Sequence, residues 1–181
     1  MQNKYKLLQG LQPIIYPTIP LHMVYGDDNI GDNGENLSII VLSCQRAQNT
    51  IKLMKSIQEH IPNFLGELII GDNGSNIDTL KSLNDCIKDL TYKCRLVEFG
   101  QNFGVAKGRN MAINQASKEY IMNVDNDIYF TMNLLPEIHN TFSQFGCHFL
   151  NLPLISYDKE NLFAIGGTLF ASLSDGFIHS G

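Results

Sequence analysis

Between residues 37 and 124 the chain alternates short apolar runs with amphipathic stretches, and little else can fold that way. The runs are LSIIVLS (37–43), ELIIG (67–71), CRLVEF (94–99) and EYIMNV (119–124). The first is a β-branched run typical of a strand buried on both faces, and the other three read as further strands. Between them, Ile51, Met54, Ile57 and Ile61 mark one face of a helix over 49–61, with Asn49 as its candidate cap. Ile77, Leu80, Leu83, Ile87 and Leu90 trace a second helix, and Val105, Met111, Ile113 and Ala116 a third over 104–117. Strands that alternate with such helices make βαβ units with right-handed crossovers. The fold class is therefore α/β, a mainly parallel sheet flanked by helices.

The flanks read differently. Residues 1–36 hold Pro13, Pro17 and Pro20 and then the turn-rich GDDNIGDNGEN (26–36). This composition predicts an N-terminal extended arm or hairpin, with the domain proper running over 37–181. Asp27, Asp28 and Asp32 lack the spacing of a calcium loop and read as a solvated turn. After the fourth strand, NLLPEIHNTFSQFG (133–146) predicts a helix beginning near Pro136, and HFLNLPLI and FAIGGTLFAS predict further strands, antiparallel ones among them. With 181 residues the chain suits one domain and an arm. Its net charge of −5, with thirteen scattered Lys and Arg, argues against a nucleic-acid binder. Cys44, Cys86, Cys94 and Cys147 form no zinc-type spacing, which fits reduced thiols and a cytoplasmic setting. The N-terminus has no signal-type apolar core, and no run reaches the ~18 apolar residues of a transmembrane helix.

In an open parallel sheet, ligands sit beyond the carboxyl ends of the strands. Four polar or Gly-rich clusters fall there: Ser43-Cys44-Gln45-Arg46, Asp72-Asn73-Gly74-Ser75, Gly100-Gln101-Asn102-Phe103-Gly104 and Asp125-Asn126-Asp127. Neither GxGxxG nor GxxxxGK[ST] accompanies them, which weighs against a dinucleotide-dependent oxidoreductase and a P-loop NTPase. On extended backbone Asp125 and Asp127 would share a face, with carboxylates ~5 Å apart repelling by about 3 kcal/mol at an effective dielectric of 20. A hard divalent cation, Mn²⁺ or Mg²⁺, relieves that repulsion and keeps positions open for phosphate oxygens. The same residues also suit a β-turn or a helix cap. Asp72 can accept an N–H from a planar base such as uracil, or close an Asx-turn. Gly104 and Gly108 open the third helix, whose free N–H groups favour anions, and Lys107 and Arg109 add cations or stand as solvated charges. Asn110 fits a backbone contact better than a ligand contact.

Taken in order, SIIVLSCQR, ELIIGDNGS, NFGVAKGRNMAI and YIMNVDNDIYF resemble the motifs of the inverting family 2 glycosyltransferases, which have the Rossmann-like GT-A fold. The likeness covers about residues 37–130 and extends more weakly to about 172. It implies a nucleotide-sugar donor, a UDP-sugar above all, held with Mn²⁺ or Mg²⁺. Ser43 and Cys44 would line the base and ribose, and Asp72 would contact the base. Lys107 and Arg109 would contact the donor, with Arg46, Asn102, Gly104 and Asn126 completing its site. Asp125 would serve ribose or metal and Asp127 the metal. Gly166-Gly167 resembles a segment beside the acceptor, a saccharide or a lipid-linked sugar; peripheral membrane contact and oligomerisation stay open. The chain departs from the family at Leu42-Ser43-Cys44, where Pro-Thr-Tyr is usual, and at Asn73, where a second acid is usual. The family's catalytic carboxylate, in a downstream Glu-Asp pair, has no counterpart here; Asp175 is the candidate base and Asp158 the other downstream acid. Two readings follow: a metal-dependent inverting glycosyltransferase, or a truncated or non-catalytic nucleotide-sugar-binding module. Nucleotidyl transfer lacks its Gly-rich, Lys-bearing signature after the first strand.

Overall fold

The computed structural model describes residues 30–143 with their side chains, the backbone of 144 and 145, residues 150 and 152, and the backbone of four short strands beyond. Four strands, β1 (Leu37–Ser43), β2 (Glu67–Asp72), β3 (Lys93–Glu98) and β4 (Tyr120–Asp125), form one parallel sheet in the order β3-β2-β1-β4. Ser43 pairs with Asp72, Asp72 with Glu98 and Leu42 with Asp125, so all four strands end level on one rim.

Alternation along the strands divides the core. On one face Ile39, Val41, Leu68 and Ile70 pack with Leu53, Met54 and Ile57 of α1 (Ala47–His60), Leu83 of α2 (Ile77–Lys88) and Ile138 of α4 (Leu135–Phe145). On the other, Ile40 and Ile69 meet Ala112 of α3 (Val105–Ile113). Gly108 lets α3 lie close, because a Cβ there would stand 2.9 Å from Leu42 Cδ1.

The elements differ from expectation where side chains intervene. Helix α1 starts at Ala47, so Asn49 lies inside it, and its cap position, Arg46, makes no side-chain capping bond. Asn76 does cap α2, accepting from the Thr79 N–H at 2.9 Å. Helix α3 ends at Ile113, four residues early. Gln115 and Ala116 turn their N–H groups to Ala112 and Ile113, and the Ser117 N–H goes to Glu67 Oε1 at 2.7 Å. The Asn133 side chain accepts from the Leu135 N–H as α4 begins, with Pro136 in its first turn. Residues 30–36 form a turn that belongs to the domain: Ile30 is fully buried, and Leu65 N–H bonds to Asn33 C=O at 2.9 Å.

Glu67 opens β2 at the end of the sheet opposite the rim, and it is completely buried. Its Oε1 accepts from the Ser38 hydroxyl and from the Ser117 N–H and hydroxyl; its Oε2 lies 2.8 Å from Lys93 Nζ and 3.6 Å from Arg95. Burial alone would raise its pKa, and is the largest influence. The Lys93 ammonium and the Ser117 and Ser38 donors outweigh it together and hold the carboxyl at about 2.

Beyond α4, Leu154–Ile155 (β5) pairs antiparallel with Leu162–Ala164 (β6), and Leu169–Ala171 (β7) with Ile178–Ser180 (β8). Of the strands expected over 148–155 and 163–172, the described residues are strand at 154–155, 163–164 and 169–171, and the rest of those stretches lies largely outside the described residues. Residues 1–29, Cys147, Asp158, Gly166-Gly167 and Asp175 lie outside the described residues. Among the described residues no helix is long and apolar enough to cross a membrane.

Candidate donor site at the rim of the sheet

Asp72 ends β2 and is 1% exposed. Its Oδ2 accepts from the N–H groups of Gly74 (3.1 Å) and Ser75 (2.9 Å), which is the Asx-turn that the sequence allows. Its Oδ1 is buried and has no hydrogen-bond partner among the described residues. Such an atom costs free energy unless something supplies a donor. The turn itself needs glycine: Gly74 has φ +85°, and a Cβ would meet the Gln101 carbonyl carbon at 2.7 Å.

The first three rim loops are bonded to one another. Gln45, in a left-handed conformation at φ 58°, donates its N–H to the Ser75 hydroxyl oxygen (2.9 Å) and its side-chain amide to Gly74 C=O (3.3 Å), while its Oε1 accepts from the Asn76 N–H (3.3 Å). Asn73, 3% exposed, donates Nδ2 to Asn102 Oδ1 at 3.0 Å and to Gly104 C=O at 3.3 Å, and accepts the Phe103 N–H at 2.9 Å. Asn102 Oδ1 also accepts the Gly104 N–H at 2.8 Å. Gly104, with φ +78°, caps α3 and turns its N-terminus toward the rim. The Cys44 thiol donates to Asn73 C=O at 3.4 Å and takes a long contact from Asn102 Nδ2. Lys107 is exposed and lies over the Phe103 ring at 4.4 Å.

Ser43, expected beside base and ribose, is turned inward. It is fully buried, its hydroxyl 2.9 Å from the Thr50 hydroxyl and its C=O taking the Asn73 N–H at 2.8 Å, so neither faces the rim. Thr50, which the sequence did not single out, also stands 3.5 Å from Asn126 Nδ2 and so joins β1, α1 and the turn after β4.

That turn changes the geometry expected of Asp125 and Asp127. The Ile128 N–H bonds to Asp125 C=O at 3.1 Å, so the chain folds back instead of running on extended. The alternating-face argument therefore does not apply. Each acid faces its own arginine: Arg109 of α3 pairs with Asp125, and Arg46 at the head of α1 lies 3.8 Å from Asp127. Helices α1 and α3 cover opposite faces of the sheet, so these cations approach from two sides. The turn is anchored by the Phe130 N–H, which bonds to Ser56 Oγ at 3.0 Å.

Among the described residues no three His, Cys, Asp or Glu side chains gather into a metal cluster. Asp125 and Asp127 still suit a hard cation that takes its other ligands from phosphate and water. Both are carboxylates, their side chains are 57% and 53% exposed, and solvent-facing ion pairs with arginine cost little to exchange.

A parallel sheet of this order, with polar and acidic loops on a single rim, is Rossmann-like and matches the GT-A fold of solved glycosyltransferases. The chain belongs to glycosyl transferase family 2, whose profile matches residues 38–168. Among solved structures it is similar to S. aureus TarS 1-349, with 24% identity and a TM-score of 0.53 over 61% of this chain and 33% of that one. The same protein has been solved with UDP-GlcNAc (22% identity, TM-score 0.54, 61% of this chain and 32% of that one). A mannosyltransferase, PcManGT from Pyrobaculum calidifontis, solved with GDP-Man and Mn2+, matches at 20% identity and a TM-score of 0.52, over 64% of this chain and 34% of that one. The chain thus spans about a third of the length of these solved chains. No curated protein matches it significantly.

Proposed function

We propose that the rim holds a nucleotide-sugar donor, a UDP-sugar first, and that the chain transfers its sugar to an acceptor hydroxyl with inversion. The observation that carries this reading is the half-used Asp72 carboxylate, buried and short of one donor at the rim of a family 2 fold. The imide N–H of uracil is a donor of the right kind for its Oδ1. The N-terminus of α3, nine residues long, presents free N–H groups and its positive dipole end to the diphosphate. Lys107, Arg109 and Arg46 add charge there. Asp125 and Asp127 would hold a Mn²⁺ or Mg²⁺ ion, which would supply Lewis-acid neutralisation of the departing diphosphate.

The acceptor oxygen attacks C1 opposite the diphosphate, forming the new glycosidic bond as the bond to the phosphate oxygen breaks. The electron pair leaves with the diphosphate. The acceptor proton passes to a carboxylate base, for which Asp175 is the candidate; such a base contributes ~10²–10⁴-fold.

Calorimetry with UDP, UDP-sugars and GDP-sugars, with and without Mn²⁺, run beside a donor-hydrolysis assay, tests the reading. Metal-dependent binding with turnover supports it. Binding without turnover assigns the chain to the alternative, a nucleotide-sugar-binding module, which the missing downstream Glu-Asp pair motivates. No binding of any nucleoside diphosphate overturns both.

A further inference from the structure

We propose that Asn73 is a positioning residue: its neutral amide couples the Asp72 turn to the head of α3, so that the groups for base and diphosphate are held as one unit. This rests on reading the rim as a donor site. Asn73 stands where the family usually has an acid, and its surroundings explain why an acid would not serve. Two of its partners, Asn102 Oδ1 and Gly104 C=O, only accept, and the third, Phe103 N–H, only donates. A primary amide meets all three at once, and only in the orientation seen; reversed, it would set carbonyl against carbonyl and N–H against N–H. An ionised aspartate keeps the Phe103 bond and turns the other two contacts repulsive. Asn102 cannot compensate by rotating its amide, because its Oδ1 also receives the Gly104 N–H. Asn73 is 3% exposed, so water cannot make up the loss. The titratable groups beside it are Asp72, its neighbour on β2, and Cys44 of the β1–α1 loop, whose thiol donates to the Asn73 carbonyl; across from it, α3 brings Gly108 within packing distance.

The test is UDP affinity in the presence of Mn²⁺ for wild type and Asn73→Asp across a pH series, with hydrogen exchange at the Phe103 amide. An aspartic acid in this site is pushed toward its protonated form, which can donate one bond. The N73D-to-wild-type affinity ratio should approach one near about pH 5 and fall as pH rises, reaching roughly ten- to hundredfold weaker binding at neutral pH. A merely structural defect would lower the ratio equally at every pH. Asn102 is exposed, so Asn102→Ala spares the core and provides a second probe: it should speed exchange at Gly104 and Phe103, and Asn102→Asp, which keeps the acceptor oxygen, should restore protection. A pH-independent ratio together with unchanged exchange in N102A overturns the coupling alone. A wild type that binds no nucleoside diphosphate overturns the donor reading, and the coupling with it.

Discussion

Strand β2 carries a buried carboxylate at each end, and the two are treated in opposite ways. Glu67, at the N-terminal end, has one oxygen hydrogen-bonded by two serines and a backbone N–H, and the other ion-paired with Lys93 at 2.8 Å and Arg95 at 3.6 Å. Asp72, at the C-terminal end, has one oxygen closed by its own turn and one left over. A buried charge with cations and donors around it fastens elements together; here it joins β1, β2, β3 and the chain leaving α3. A half-satisfied one keeps a directional demand, which under the proposed function the base of the donor meets. The contrast separates holding from reading on a single strand six residues long.

Removing the holder should have the largest effect. Glu67→Ala strands several buried donors and should lower unfolding free energy by on the order of 3–5 kcal/mol in urea titrations. The wild type should also show the pH signature of a carboxyl depressed to about 2. Its contribution, roughly 3 kcal/mol, is complete above the ordinary value of 4.5 and is lost as pH falls from there toward 2. Glu67→Gln should flatten that slope; an unchanged slope would remove Glu67 from its fastening role.

Next comes the turn that shapes the reader. Gly74→Ala combines a left-handed φ with a Cβ 2.7 Å from backbone, and should cost about 2–3 kcal/mol in thermal or urea unfolding. Asp72→Asn then sharpens the contrast itself. One amide oxygen can still take the Gly74 and Ser75 N–H groups, so the fold should stay within about 1 kcal/mol of wild type. The spare position now donates instead of accepting. UDP should bind roughly ten- to hundredfold more weakly, and CDP, whose base offers a ring nitrogen acceptor, should weaken less or gain. Equal losses for both nucleotides would break the assignment of the spare oxygen to the base.

The smallest stability effect belongs to the turn after β4. Arg46→Ala and Asp127→Ala remove a solvent-facing pair at 3.8 Å and should shift unfolding by less than about 1 kcal/mol. Asp127→Ala should nonetheless abolish the Mn²⁺-dependent part of UDP binding; metal-dependent affinity that survives would remove Asp127 from the cation's ligands.

The framework was legible because apolar periodicity is a local signal. The runs at 37–43, 67–71, 94–99 and 119–124 and the stripes between them map onto β1–β4 and α1–α3, and parallel topology put four loops on one rim. What escaped depends on partners remote in sequence. Glu67 reads as a polar residue before an apolar run, and nothing local says that Ser117, fifty residues on, will close over it. Asn73 registered only as a missing acid, because its partners lie about thirty residues away. Ser43 is drawn inward by Thr50, a tertiary contact across the β1–α1 turn. The shared-face argument for Asp125 and Asp127 assumed extended backbone, and a single bond from the Ile128 N–H to the Asp125 carbonyl removed that premise. A run of Asp-Asn-Asp, all strong turn formers, carried that signal too.

Gln45 and Asn73 each reach across to a loop other than their own. Anyone wishing to alter donor preference by grafting a segment from a relative will therefore find that no one loop is a portable module. A transplanted 72–76 stretch would arrive without Gln45 and Asn102, which bond to it, so the exchange must carry 43–46, 72–76 and 101–104 together.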